Sequence, residues 1–184
     1  MPRQIFSFDP PDRFVVGTVG QPGERTFFLQ ATGGGRVVSV ALEKVQVAVL
    51  AERLGELLDE VRRRGAEISA TAPAELEDVA PLDQPILEEF RVGTLALAWD
   101  GADSVVVIEA QPPGEEDDEE TIEDLADEEE GPPLFRVRIS ADQARAFVAR
   151  AERVVSAGRP PCPLCGLPLD PEGHVCPRQN GHRH

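Results

Sequence analysis

The chain has 184 residues, enough for one domain of ordinary size with at most a small appendage, and its 41% apolar content supports a real core that is aliphatic, since aromatics make up only 5%. No apolar run approaches the ~18 residues of a membrane span, the opening "MPRQIFSFDPPDRF" lacks the apolar stretch of a secretory leader, and three cysteines gathered at one end make no disulfide framework, so a reducing, cytoplasmic setting is expected. The net charge of −16 is concentrated in residues 115–130, which hold 12 acidic groups and no basic one; the remainder stands at −4, and from residue 131 onward eight Arg face four acidic residues, so acidity alone does not exclude an anionic partner.

In chain order, a short strand is expected at 4–8, "QIFSF". A unit of three strands and a helix follows: "RFVVGTVG", "TFFLQA" and "RVVSVAL", then a helix through "EKVQVAVLAERLGELLDEV". The strands are short, rich in Val, Phe and Thr, and separated by turn residues at "GQPGE" (20–24) and "TGGGR" (32–36). Gly33-Gly34-Gly35 lacks the Lys-Ser/Thr of a phosphate loop and precedes a strand, not a helix, so it reads as a hairpin turn. Val47, Leu50, Leu54, Leu57, Leu58 and Val61 fall on one helical face. Gly65 stands where the helix should stop. Burying such a stripe is worth on the order of 10 kcal/mol before chain entropy, at about 1.5–3 kcal/mol per side chain.

Residues 66–89 connect this unit (1–65) to the next, and Pro73, Pro81 and Pro85 forbid a long helix there. The second unit, 90–158, repeats the plan: "FRVGTLAL", "SVVVIEA", "LFRVRIS", then a helix with Ala144, Phe147, Val148, Ala151, Val154 and Val155 on one face, Ser140 as N-cap and Gly158 at the stop. Val16-Gly17-Thr18 matches Val92-Gly93-Thr94, Gln30-Ala31 matches Glu109-Ala110, and Leu42 and Gln46 match Ile139 and Gln143. The spacing widens only at loops, by three residues in the first hairpin and eighteen where the acidic insertion 111–133 sits. The Gly of each Val-Gly-Thr reads as a close strand approach, the alternative being a ligand contact repeated about a two-fold axis. The insertion reads as disordered. The expected fold is α+β: an antiparallel sheet of six or seven strands with two helices on one face and approximate internal two-fold symmetry.

Residues 159–184 hold every cysteine and every histidine of the chain. Cys162 and Cys165 form a C-x₂-C turn; His174 and Cys176 follow as H-x-C, and residues i and i+2 of an extended segment share a face. Three thiolates and one imidazole make a tetrahedral Cys₃His zinc set with no open position for chemistry, so the expected cofactor is a structural zinc in a knuckle-like motif. His182 and His184 are alternative fourth ligands; His174 is preferred for its Gly173 turn and its place beside Cys176. A redox C-x-x-C needs a helix start after a strand, and none is expected between "GRPP" and "GLPLDP".

The body, 1–161, has no His, Cys or Tyr, which removes the commonest acid–base groups and the thiol nucleophile. A non-enzymatic binding or adaptor protein with a protein partner is therefore the leading functional expectation. An enzyme for a phosphorylated or anionic metabolite, using Glu43, Asp142 or arginines between the units, is the alternative. Single-stranded nucleic-acid binding is disfavoured by the scarcity of aromatics and the lack of a basic strand face.

The opening "FDPPDRFVVGTVGQPGERTFFLQA", the segment "VSVALEKVQVAVLAERL" and the closing "CPLCGLPLDPEGHVCPRQNG" resemble an uncharacterised actinobacterial family known only as a domain of unknown function. The resemblance covers essentially the whole chain. It implies the closing Cys-x₂-Cys and His-x-Cys as a shared feature. Since the family's usual ending is "NGYR"-like, it also implies His174 rather than His182 as fourth ligand. A phosphatase-like and a lipid-kinase-like protein usually accompany the family, which implies a shared pathway but no activity.

Overall fold

Among the described residues, eight strands form where the apolar period is two and two helices where it is three to four. A computed structural model describes residues 4–21, 24–114 and 131–157. The acidic run 115–130 and the Cys/His segment from Gly158 onward lie outside the described residues. The elements in order are β1 (Ile5–Phe8), β2 (Arg13–Val19), β3 (Thr26–Gly33), β4 (Arg36–Leu42), α1 (Lys44–Arg63), β5 (Glu88–Arg91), β6 (Thr94–Asp100), β7 (Val105–Gln111), β8 (Leu134–Ser140) and α2 (Ala141–Ser156). The fold is α+β. The strands are divided between two four-stranded sheets, β2-β3-β4-β5 and β1-β8-β7-β6, where a single antiparallel sheet was expected.

Each sheet is an antiparallel meander of three strands plus one parallel strand from the other half. β1, which opens the first half, pairs parallel with β8 of the second, Ile5 opposite Leu134 and Phe8 opposite Val137. β5, which opens the second half, pairs parallel with β4 of the first, Ser39 opposite Glu88. The stretch "FRVGTLAL", expected as one strand, therefore splits: Phe90 and Arg91 end β5, Val92 and Gly93 cross over, and Thr94 starts β6.

Three-strand-plus-helix units do recur, and the hydrogen-bond register aligns them. Gln46 Oε1 accepts the Glu43 N–H at 2.7 Å, and Gln143 Oε1 accepts the Ser140 N–H at 3.0 Å, so the two matched glutamines cap the two helices alike. Gln30 faces Ser39 as Glu109 faces Arg136, and Val15 faces Gln30 as Ala96 faces Glu109. By the same register Gly17, opposite Phe28, corresponds to Ala98, opposite Val107. The Val-Gly-Thr match is thus not an equivalence in space. The first hairpin is also shorter in the second half, where residues 101–104 stand for 20–25, the reverse of the expected widening.

One continuous core joins the inner faces of both sheets and both helices. Phe8 and Phe14 each lie 6.3 Å from Phe135, and Phe14 stacks on Phe147 at 4.6 Å, so aromatic rings from β1, β2, β8 and α2 tie the halves together. The helices pack on each other, α2 against β2 and α1 against β6. α1 buries Val47, Leu50, Leu54, Leu58 and Val61 of the expected stripe and adds Ala51; Leu57 is partly buried. α2 buries Ala144, Phe147 and Ala151, leaves its three valines partly buried, and also buries Arg145 and Arg150. Gly34 and Gly35 have φ of 58° and 78°, as a two-residue β3–β4 turn requires.

Residues 66–87 carry no helix beyond one short turn at Ala74–Leu76. They cross the outer face of the β2-β3-β4-β5 sheet, where Leu82 and Ile86 cover Val15, Phe28 and Ala41 in a second, smaller core. Leu82 lies so close over Gly17 that a Cβ there would stand 2.6 Å from Leu82 Cγ. Gly93 is crowded differently, by Pro113 after β7, at 2.4 Å. Gly17→Ala is expected to cost about 1–3 kcal/mol by overpacking. Combined with Leu82→Ala, the loss should fall well short of the sum of the two single losses in denaturant unfolding; additivity would show that Leu82 does not sit on Gly17.

Candidate functional site

The groove between α2 and the free edge of β2 concentrates buried charge. Arg150, only 6% exposed, donates from Nε to the Val16 carbonyl at 2.7 Å and from Nη1 to the Asp78 carbonyl and carboxylate at 2.9 and 3.0 Å. β2 is an edge strand, so its outward carbonyl needs a donor, and a helix arginine supplies it. Arg13 holds Asp78 through Nε at 2.7 Å and Nη2 at 3.0 Å, and Asp83 through Nη1 at 3.0 Å. Its Nη2 also reaches the carbonyls of Ala80 and Pro81.

The connector is strung across this groove residue by residue. Arg145 donates from Nε to the Ser69 carbonyl at 3.0 Å, and its Nη2 stands 3.0 Å from Asp59 of α1, close enough for charge attraction but not aligned as a hydrogen bond. Buried Gln30 then clasps Asp83: its Nε2 donates to the Asp83 carbonyl at 3.0 Å while its Oε1 accepts the Asp83 N–H at 2.7 Å. The cavity left beside Arg150, lined by Phe14, Leu76, Asp78, Gln143 and Phe147, holds about 110 Å³. That is below the roughly 300 Å³ at which small-molecule sites begin.

Electrostatics here favour closure. The Arg13 guanidinium, through its hydrogen bond, holds the Asp78 carboxyl below the usual carboxylate range. Asp78 in turn raises Arg13. Burial lowers Arg150, with Asp78 opposing that effect. Asp78 and Asp83 together balance Arg13 and Arg150, which is the chemistry of a clamp.

The corresponding groove in the other half is open. Counting from the capping glutamines, Val49, Leu50 and Arg53 of α1 match Ala146, Phe147 and Arg150 of α2. Counting from the sheet register, Leu95 and Leu97 of β6 match Phe14 and Val16 of β2. Val49, Leu50, Arg53, Leu95 and Leu97 line a space of about 340 Å³ between α1 and β6, and no described residue lies across it as Leu76 and Asp78 do in its counterpart. β2 is buried along most of its length, whereas every residue of β6 retains solvent exposure.

The expected zinc ligands Cys162, Cys165, His174 and Cys176, with His182 and His184, lie outside the described residues. Among the described residues no group of three or more His, Cys, Asp or Glu side chains could hold a metal. Glu43 is exposed and paired with Arg91, and Asp142 lies in the first turn of α2; no contact joins them. Arg13, Arg145, Arg150 and Asp78 were not named individually in sequence, and Gln30 was named only as part of the repeat. The one available signal was arginine on the apolar face of the second helix.

A family model described as "Protein of unknown function (DUF3090)" matches residues 6–176, which includes the terminal cysteines and His174. No curated protein matches, and no solved structure matches. No helix among the described residues is long and apolar enough to cross a membrane.

Asp78→Asn should cost about 2 kcal/mol, between the values for exposed and fully buried pairs, because it leaves Arg13 and Arg150 without their shared anion. Asp78's depressed pKa in the folded state adds stability above the ordinary aspartate range, near pH 4, and this is lost as pH falls through the folded value. Urea midpoints from pH 7 to pH 2 should therefore fall more steeply for wild type than for Asp78→Asn. Parallel curves would remove Asp78 from the clamp.

Proposed function

The chain belongs to the DUF3090 family of proteins of unknown function, and from that premise we propose that it is a non-enzymatic binding or adaptor protein with a structural zinc at Cys162, Cys165, His174 and Cys176. The observation that carries this reading is how the donors are divided along the chain. All three thiols and all three imidazoles stand within residues 162–184, and the body before them has neither. Three thiolates and a neutral imidazole match the preference of zinc for soft sulfur and borderline nitrogen ligands. Four protein ligands leave no position for an activated water, so the metal's work is to fold the segment that holds it.

The body supports the binding half of the reading. Its half-buried ion pairs Arg13–Asp78, Arg150–Asp78 and Arg138–Asp100 tie its own segments together. Arg138 also reaches Asp9 and Asp103, so the outer face of β8 is a network of paired charges. A body whose buried charges are paired internally is a scaffold for presenting a segment to a protein partner.

Metal analysis of purified chain should give about one zinc per molecule. Cys162→Ser and Cys176→Ser should each reduce that several-fold, and His174→Ala should do so where His182→Ala does not. Unchanged zinc in the cysteine variants would remove the ligand assignment. A thermal-shift screen of anionic metabolites should show no large stabilisation; a shift of many degrees would replace the adaptor reading with a small-molecule site.

A further inference from the structure

We propose that the open groove between α1 and β6 is the docking site of the chain's own C-terminal segment, residues 158–184. The inference starts from the counterpart groove. There, the segment that follows α1 crosses to the other half, lies between α2 and β2, and closes that space with Leu76 and Asp78. Residues 158–184 follow α2 as 66–87 follow α1. The two halves are related by matched register and by reciprocal exchange of β1 and β5. The same relation carries the segment leaving α2 to the groove between α1 and β6.

The composition of the segment fits this occupancy. It carries Leu164, Leu167 and Leu169, apolar side chains for an apolar floor. The charges also change together on both sides. The connector is wholly acidic, with Glu67, Glu75, Glu77, Asp78 and Asp83, and α2 offers it Arg145, Arg150 and Arg153. The C-terminal segment is mixed, with Arg159, Arg178 and Arg183 against Asp170 and Glu172. α1 offers a mixed rim: Arg53 and Arg63 with Glu56 and Glu60. Arg53, equivalent to Arg150, is the cation placed for Asp170 or Glu172, and Glu56 stands where α2 has Arg153. The groove floor of Leu50, Leu95 and Leu97 would then take the leucines of the segment.

Site-directed photo-crosslinking of the full-length chain tests this. A benzophenone side chain replaces Val49, or separately Glu56, both solvent-facing, so folding is not at stake. The same group at Ala146, in the closed groove, is the control and should capture residues 66–87. At Val49 and Glu56 the expected product is an intramolecular link to a peptide within 158–184, reduced several-fold by Arg53→Glu. A link of dimer mass would assign the groove to a second copy and overturn the proposal. So would the absence of any link to 158–184 while the Ala146 control succeeds. Repeating the reaction with a chelator separates docking from metal binding: a link retained after zinc loss supports docking that is independent of the metal, and a missing link with zinc present sinks the docking alone.

Discussion

Neither half of this molecule can complete its own sheet. β1 leaves the first half to pair with β8, and β5 leaves the second to pair with β4. Parallel strands cannot be joined by a tight turn, so each exchanged strand must come from a distant part of the chain. Once both exchanges are made, the two meanders face a common interior, and Phe8, Phe14, Phe135 and Phe147 meet there from four elements. The halves therefore share one core and are expected to unfold together. A break in either parallel pairing exposes the edge of a sheet whose remaining strands are all from the other half.

That exchange also decides which helix lies on which edge. α2 is brought to β2 and α1 to β6, so each half supplies the helix that covers the other's edge strand. The two contacts are equivalent in position, as the capping glutamines and the strand register show. They differ in what lies across them. On the β2 side the connector fills the groove, and β2 is buried on both faces. On the β6 side the outer face carries Glu109–Arg136 and Arg138–Asp100 pairs, which need no apolar cover. Only the helix-side floor of β6 is apolar and open.

Asp78 shows how a buried charge can serve assembly rather than chemistry. An uncompensated guanidinium at the depth of Arg150 would be costly. Here the Asp78 carboxylate answers two guanidiniums, Asp83 takes a further donor of Arg13, and backbone carbonyls of Val16, Asp78, Ala80 and Pro81 accept others. The network fixes an otherwise irregular segment whose few regular hydrogen bonds could not hold it. Gln30 does the same from within the sheet, using both ends of its amide on Asp83.

Much of the local structure was legible in the residues alone. Period-two and period-3.6 patterns located the strands and both helices, Ser140 announced a cap, and Gly34-Gly35 announced a hairpin, because each depends on neighbours close in sequence. The proposed donor set at Cys162, Cys165, His174 and Cys176 was read from composition and spacing and lies outside the described residues. The matched Gln46 and Gln143 were a true signal of the recurring unit, whereas Val-Gly-Thr was a coincidence of letters: Gly17 makes room for Leu82, and Gly93 for Pro113. What the sequence by itself determined was therefore most of the elements and their repetition. Only the tertiary structure decided the exchange of β1 and β5, the split of the strands into two sheets, and the burial of Arg13, Asp78 and Arg150 as one clamp. Those depend on pairings between residues far apart in the chain, such as Ile5 with Leu134 and Arg150 with Val16, and a parallel edge or a buried ion pair leaves no periodic trace in the segments that form it.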